Sequence, residues 1–149
     1  MAEELKSRKE IPEELTWDLS HIYATEEDMF RDAEKMEQMA GEIVEKYRGH
    51  LDTPERIEAC VTAYRQVYEL MMLTGSYCDL AVSVDYYDNY NQERNGKISR
   101  LIARLQSSLS FVKSEIMEQE EAVIRKAMED SQGNRHFLQN ILRDKPHRL

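Results

Sequence analysis

The chain has 149 residues, of which 41% are hydrophobic and 33% are charged, and this composition is typical of a globular protein that forms one domain. Its 20 basic and 29 acidic residues give a formal net charge of −9, which argues against nucleic acid as a partner because phosphate backbones attract basic surfaces. No apolar run approaches the roughly 18 residues of a membrane span, and the N-terminus lacks the apolar core of a signal peptide, so we expect a cytoplasmic protein that does not enter membranes.

Residues 1–24 are predicted to form an extended N-terminal arm. Pro12 interrupts this polar stretch, and Trp17 and Tyr23 are its large aromatic residues. Such residues more often hold an arm against the body of a protein than bind a ligand, so Trp17 is interpreted as a packing residue. Residues 25–149 are predicted to be one helical domain, because five Gly and three Pro leave few chain breakers.

Two helices are predicted first. Thr25 can cap the N-terminus of the first helix, and its apolar positions alternate at spacings of four and three before Gly49: Met29, Ala33, Met36, Ala40, Ile43 and Tyr47. Thr53 and Pro54 open the second helix, which is predicted to continue through Gly75 to Val84. This helix carries two neighbouring apolar stripes, so we expect it to be covered on more than one side: Ile57, Val61, Tyr64, Tyr68 and Met71, then Cys60, Ala63, Val67 and Leu70.

The second half of the chain is predicted to add two helices. Residues 85–91 are rich in turn-forming residues, and a third long helix follows with the spine Ile98, Ile102, Leu105, Leu109, Val112, Ile116, Val123 and Ala127. Residues 131–134 break this pattern, and a short fourth helix is predicted to end near Pro146. No stretch alternates with a period of two for long enough to predict a strand. The predicted fold class is therefore all-α, an antiparallel bundle of about four helices, two of them long, with the extended arm.

The sequence contains no recognisable catalytic or metal-binding motif. A zinc peptidase motif needs two His four residues apart on a helix, and none of the four histidines (His21, His50, His136 and His147) stands at that spacing from another. Asp18-Leu-Ser-His21 is a single copy of a di-metal motif with the wrong acid. Residues 85–95 resemble a calcium loop in composition only, because Tyr87 and Tyr90 occupy positions that need a ligand and a glycine. We therefore expect no catalytic, cofactor-binding or metal-binding residue in this chain.

Cysteine and methionine are interpreted as core residues. Cys60 and Cys78 are isolated and lie on apolar stripes, which predicts reduced, buried thiols in a reducing compartment. Seven methionines either fill the core or form an adaptable peptide-binding surface, and their positions on the stripes favour the first: Met29, Met36, Met39, Met71, Met72, Met117 and Met128.

Three strings resemble a known family when they are taken together. Residues 8–23 (RKEIPEELTWDLSHIY) contain an Ile-Pro stretch followed by Trp-Asp-Leu, a short gap and Tyr. Residues 63–85 carry Ser76-Tyr77 and later Ser83-Val-Asp85. Residues 141–149 (ILRDKPHRL) contain Lys-Pro-His-x-Leu. In this order and spacing, the strings are similar to the N-terminal region of the oligoendopeptidase F family of zinc metallopeptidases.

The resemblance implies a helical, non-catalytic domain of a larger enzyme. Family members continue for several hundred residues, and their H-E-x-x-H motif and third zinc ligand lie in that continuation. The chain is therefore expected to be an N-terminal domain or a truncated reading frame, inactive alone, with zinc bound only in the parent enzyme. Its implied partners are the C-terminal catalytic domain and, through the parent enzyme, oligopeptide substrates. In this family the helical region forms part of the wall around a deep cavity that restricts access to unfolded oligopeptides.

A different class of function stays open. The two apolar stripes of the second helix form a larger apolar surface than three neighbouring helices are expected to cover. The alternative is a free-standing helical module without enzymatic activity, which binds a partner helix or forms a homodimer through an exposed apolar helix face.

Overall fold

A computed structural model describes residues 19–131 and 133–147 of the chain, without the side chains of Ser20 and His147. Six α-helices account for most of these residues: α1 (Glu26–Tyr47), α2 (Pro54–Val84), α3 (Asn89–Ser108), α4 (Phe111–Glu118), α5 (Glu121–Asp130) and α6 (Arg135–Asp144). Two short 3-10 helices lie at Leu19–His21 and Lys145–His147, and this part of the chain contains no strand. The predicted all-α fold class is confirmed.

The N-terminal arm was predicted over residues 1–24, and most of it, including Pro12 and Trp17, lies outside the described residues. The arm's described end includes the 3-10 helix at Leu19–His21 and the buried aromatic ring of Tyr23. The hydroxyl of Tyr23 donates a hydrogen bond to Asp32 at 2.8 Å, which joins this end of the arm to α1.

The first two helices begin where their capping residues predict. The Thr25 hydroxyl accepts a hydrogen bond from the backbone N–H of Asp28 at 3.1 Å, and the Thr53 hydroxyl accepts one from Arg56 at 3.2 Å. These bonds satisfy donors that the first turn of a helix leaves free. After α1 ends at Tyr47, Gly49 adopts a φ of 79°, a left-handed conformation that favours glycine at a helix C-terminus.

The stretch predicted as one third helix is divided into α3, α4 and α5. At the first break, the Ser110 hydroxyl donates to the carbonyl of Ser107 at 2.8 Å, a local bond that competes with helix continuation. At the second break, Gln119 and Glu120 are extended. The ammonium group of Lys145 donates to the carbonyls of Met117 and Gln119, which compensates carbonyls left free where α4 ends.

The described chain divides into two compact units. The first unit contains the described residues through Glu37 together with Glu69–Arg104, and the second contains Gln38–Tyr68 and the residues from Leu105 onward. In the first unit α1 and α3 run parallel, because the start of α1 pairs with the start of α3 and Glu37 pairs with Arg104 further along both. The intervening α2 runs antiparallel to α3, since only residues 85–88 connect them.

Each unit has its own core. The core of the first unit contains Tyr23, Met29, Ala33, Met36, Met71, Tyr77, Cys78, Ala81 and Ile98. The core of the second unit includes Ile43, Leu51, Ile57, Cys60, Val61, Tyr64, Val67, Leu105, Leu109, Val112, Ile116, Ile124, Ala127, Leu138 and Ile141. The interpretation of methionine as core filler is confirmed for Met29, Met36 and Met71, whereas Met72 is 64% exposed.

Both apolar stripes of α2 contain buried residues, as the sequence predicts. Ile57 and Val61 of the first stripe and Cys60 and Val67 of the second are fully buried. Leu70 in the second stripe is only partly covered by other described residues.

Candidate functional site

The described residues form no metal-binding cluster. Among residues 19–131 and 133–147, no group of three or more His, Cys, Asp or Glu side chains is placed to hold a metal ion. The expectation that this chain lacks catalytic, cofactor-binding and metal-binding residues stays a prediction. Within the same ranges, no helix combines the length and apolar character needed to cross a membrane.

Cys60 and Cys78 are free and buried, which confirms their interpretation as core residues. Burial raises the pKa of the Cys60 thiol to about 12, and the negative charge of Glu115 adds to the effect. Burial raises the pKa of the Cys78 thiol to about 11 against an opposing influence of Arg94. A reactive cysteine needs a low pKa and access to solvent, so neither thiol is activated as a nucleophile.

The segment that resembles a calcium loop in composition is a turn between helices. The turn occupies residues 85–88, and the Asp88 carboxylate accepts a hydrogen bond from the backbone N–H of Tyr90 at 2.9 Å. Asp88 thereby caps the first turn of α3, the role that aspartate commonly takes before a helix. The prediction of a connecting turn is confirmed.

Arg94 is a buried cation that the sequence did not single out. Its Nη1 atom lies 2.9 Å from Oε1 of Glu26, and its Nη2 atom donates to Asn91 at 3.2 Å. The guanidinium carbon also lies 5.1 Å from the ring centre of Tyr77 and 5.3 Å from that of Tyr90. These contacts replace part of the water lost on burial, although Nε of Arg94 has no hydrogen-bond partner among the described residues. They also tie α3 to the start of α1.

The ionisation of this cluster follows from its contacts. Burial alone would raise the pKa of Glu26, but hydrogen bonds from Tyr90 and Arg94 outweigh burial and lower it. The same bond to Glu26 raises the pKa of Tyr90. Burial opposes the charge on Arg94, yet Glu26 and its other neighbours raise its pKa. The cluster is therefore a charged structural contact whose groups do not change protonation near neutral pH.

A groove on the surface of the first unit is the candidate site for binding a partner. It lies between α1 and α3 and has a volume of about 530 Å³. We call it the charge-split groove and define it by its lining: Phe30, Ala33, Glu34 and Glu37 from α1, with Lys97, Ile98, Arg100, Leu101 and Arg104 from α3. Every charged lining residue from α1 is acidic and every one from α3 is basic. An apolar floor between two rims of opposite charge can bind an amphipathic surface, but it offers no nucleophile or proton-transfer pair.

Two contacts define the ends of this groove. The Arg104 and Glu37 side chains form an ion pair across one end, with Nη2 and Oε1 2.7 Å apart. At the other end the Lys97 ammonium lies 5.9 Å from the ring centre of Phe30. Along α3, the spacing of the basic residues at 97, 100 and 104 signals one basic helix face. That signal was available in the sequence, but the pairing of α3 with the acidic face of α1 was not.

The chain has detectable similarity to two curated oligopeptidases. Oligopeptidase PepF of Bacillus subtilis (strain 168) is 23% identical over 152 aligned positions, which cover 99% of this chain and 22% of that protein. The protein named oligoendopeptidase F, plasmid, of Lactococcus lactis subsp. cremoris is 26% identical, with coverage of 97% of this chain and 25% of its own length. This chain resembles part of an oligopeptidase.

The similarity supports the family indicated by the three sequence strings. It extends over nearly the whole chain, yet the chain spans only about a quarter of the length of these oligopeptidases. No protein-family model matches the chain, and no solved structure matches it.

Proposed function

We propose that this chain is the N-terminal, non-catalytic helical domain of a larger zinc metalloendopeptidase that hydrolyses oligopeptides, and that it restricts access to the catalytic cavity. The observation that carries the proposal is the similarity of nearly the whole chain to about a quarter of each of two oligopeptidases. The chain itself contains no H-E-x-x-H motif. The parent enzyme is proposed to be cytoplasmic and to carry its zinc on residues outside this chain.

The helical architecture suits such a wall. α1 and α2 contain 22 and 31 residues, and side chains cap their first turns. Long helices with satisfied ends keep their shape, and a wall that excludes water strengthens electrostatic interactions at a metal site. In this proposal residues 1–24 remain the arm and residues 25–149 the helical domain, and the catalytic domain and oligopeptides are the partners.

Two measurements test this proposal. The reading frame downstream of Leu149 in the source genome should encode H-E-x-x-H, and its absence would count against a parent peptidase. The 149-residue chain should neither cleave a set of quenched fluorescent oligopeptides nor bind stoichiometric zinc. The full-length protein should cleave those peptides until a chelator is added, and activity of the short chain would overturn its assignment as non-catalytic.

Access can be tested separately in the full-length enzyme. Asn134→Ala should loosen the helical domain without touching a catalytic group, because Asn134 joins α2 to the start of α6. The ratio of kcat/KM for a long peptide to kcat/KM for a short one should rise in this variant if the domain restricts access. An unchanged ratio, with the domain shown to be loosened by hydrogen exchange, would contradict the proposed role.

The second candidate function is a free-standing helical interaction module. The charge-split groove favours it, because a groove with an apolar floor and charged rims is suited to a partner rather than to bulk solvent. A stop codon directly after residue 149 and a stable, monodisperse dimer would support this module over the peptidase domain.

A further inference from the structure

We propose that the charge-split groove is a self-association site, in which the groove of a second copy of this chain packs face to face against it, with the α1 rim of each copy against the α3 rim of the other. The inference does not depend on the relationship to oligopeptidases. Four observations carry it, namely the apolar floor, the opposite charge of the two rims, the presence of rim charges that pair with no other described residue, and the relative levels of these charges along the two parallel helices.

The groove has an apolar floor that described residues leave partly uncovered. Ala33 and Ile98 are buried in the floor, whereas Phe30 and Leu101 are only partly buried. Covering Phe30 and Leu101 would remove apolar surface from water, which favours association. α1 itself carries Phe30 on this face, so a second copy supplies a side chain of suitable size and polarity.

Some rim charges have no ion-pair partner among the described residues of one copy. Among the described residues, the carboxylate of Glu34 and the guanidinium of Arg100 form no ion pair or hydrogen bond, and both side chains are exposed. The exposed Lys97 ammonium contacts the ring of Phe30, which leaves its charge without a counter-ion in that contact. These three charges are therefore available to an external surface that presents the opposite charges.

Twofold symmetry pairs the two rims with each other. In such a dimer the same patch serves both copies, so a contact from residue i to residue j is repeated from j to i. The α1 rim of one copy faces the α3 rim of the other, and each acidic rim meets a basic one. Because the whole chain carries a net charge of −9, this local pairing has to outweigh general repulsion between the copies.

The levels of the charges give the register of the proposed dimer. The contacts of Phe30 with Lys97 and of Glu37 with Arg104 place these residues at matching levels on the parallel helices. Position 34 lies near the middle of the interval on α1, and position 100 lies near the middle of the interval on α3. A twofold axis that runs along the groove, parallel to α1 and α3, keeps both copies in the same direction, so equal levels of the two copies face each other.

Two kinds of charge pair follow from this register. Glu34 of each copy lies opposite Arg100 of the other, and Glu37 lies opposite Arg104. Exposed pairs are individually weak, so the apolar floor supplies affinity while the rims select the register. The expected dimer is reversible and depends on protein concentration.

Charge reversal provides a sharp test of this register. The 149-residue chain is studied by sedimentation velocity over a wide concentration range, together with Glu34→Arg, Arg100→Glu and the double variant. Each single variant creates two like-charge contacts across the twofold axis, so we expect its dimer to weaken at least about tenfold. The double variant restores both pairs with their signs exchanged and should dimerise like the wild type.

An equimolar mixture of the two single variants should form a heterodimer. In this mixture positions 34 and 100 are both basic in the Glu34→Arg chain and both acidic in the Arg100→Glu chain, so both contacts across the axis are attractive. Lys35→Glu is the matched control, because Lys35 is an exposed lysine on α1 outside the groove lining, and its dimer should be less affected. Far-UV circular dichroism of every variant distinguishes lost association from lost folding.

Three results of the sedimentation experiments would contradict the proposed dimer. A wild-type chain that stays monomeric at all concentrations overturns the proposal, including the case in which residues 1–18 of the same chain occupy the groove. A dimer that is insensitive to both single variants places the interface elsewhere. Failure of both the mixture and the double variant to restore a folded dimer contradicts the proposed pairing of Glu34 with Arg100.

Discussion

The Nη1 atom of Arg94 lies 2.9 Å from Oε1 of Glu26, and the two side chains differ sharply in exposure. Only 7% of the Arg94 side chain is exposed, against 34% of the Glu26 side chain. The pair therefore joins a buried cation to an anion that keeps part of its hydration. Because their burial is unequal, removing one partner should change the free energy of unfolding by a different amount from removing the other.

Glu26→Ala should be more destabilising than Arg94→Met. Removing the carboxylate leaves a buried guanidinium without its counter-ion, whereas removing the guanidinium leaves a carboxylate that water can reach. We expect Glu26→Ala to lower the free energy of unfolding by about 2–3 kcal/mol, less than the loss for a fully buried pair. Arg94→Met should lower it by about 1 kcal/mol, because methionine keeps much of the packing volume.

Urea denaturation of the 149-residue chain measures both values. The control is Glu37→Ala, which removes an ion pair whose two side chains are more than half exposed and should change stability by less than about 0.5 kcal/mol. If Arg94→Met proves the more destabilising substitution, a stranded buried charge is not the reason for the loss.

The lowered pKa of Glu26 predicts a dependence of stability on pH. A carboxyl group with a pKa below its ordinary value binds protons less readily in the folded state, so it contributes stability above the ordinary value of 4.5. This contribution is lost as the pH falls through the lowered pKa. Urea midpoints measured from about pH 7 down to about pH 3 should fall less steeply in Glu26→Gln than in the wild type. Equal slopes of urea midpoint against pH in the two proteins would show that ionisation of Glu26 does not contribute to the pH dependence of stability.

Local signals in the sequence predicted the first two helices well. Thr25 and Thr53 mark helix starts because a capping hydroxyl acts within three residues, and neighbouring residues alone decide that bond. The division of the predicted third helix into α3, α4 and α5 was harder to predict from the sequence. The apolar stripe continues through Leu109 and Val112, so its spacing carries no sign of the break at Ser110.

A distant residue makes a hydrogen bond at the break at residues 119–120. Lys145 donates to the carbonyl of Gln119 from 26 positions further along the chain, and no local pattern predicts this bond. The charge-split groove could not be predicted from local sequence for the same reason. Each rim is visible as a run of like charge on one helix face, but only the packing of α1 beside α3 turns two charged faces into one groove.

The raised pKa values of Cys60 and Cys78 predict thiols that resist modification. In the native protein both should react with Ellman's reagent only through opening of the structure, and both should react rapidly in denaturant. Cys60→Ala leaves one thiol and allows Cys78 to be measured alone. Fast, stoichiometric labelling of the native chain would contradict their burial.

The same pKa values predict loss of stability at alkaline pH. A raised thiol pKa means that the folded state keeps its proton while the unfolded chain ionises, so the stabilising effect is complete below the ordinary value of 9.0. The effect declines as the pH rises toward about 11 for Cys78 and about 12 for Cys60. A variant with both cysteines replaced by alanine should show a shallower alkaline decline in its urea midpoint.

Substituting Asn134 should destabilise the protein more than substituting most other polar residues of the second unit. It is almost fully buried, and its amide nitrogen donates to the carbonyl of Glu58 at 3.1 Å and to the hydroxyl of Thr62 at 2.8 Å. Its side-chain oxygen accepts a hydrogen bond from Arg65 at 3.0 Å. Asn134→Ala removes three bonds that link α2 to the start of α6, so we expect a loss of about 2–3 kcal/mol.

The matched control for this prediction is Asn140→Ala on α6. The Asn140 side chain is partly exposed, and its amide lies 3.3 Å from Nε2 of His136 within the same helix. Its removal should change stability by less than about 0.5 kcal/mol in urea denaturation. Asn134→Asp should be at least as destabilising as Asn134→Ala, because it buries a charge and sets a carboxylate oxygen against the carbonyl of Glu58. Similar losses for Asn134→Ala and Asn140→Ala would show that the helix, rather than its link to α2, determines the effect.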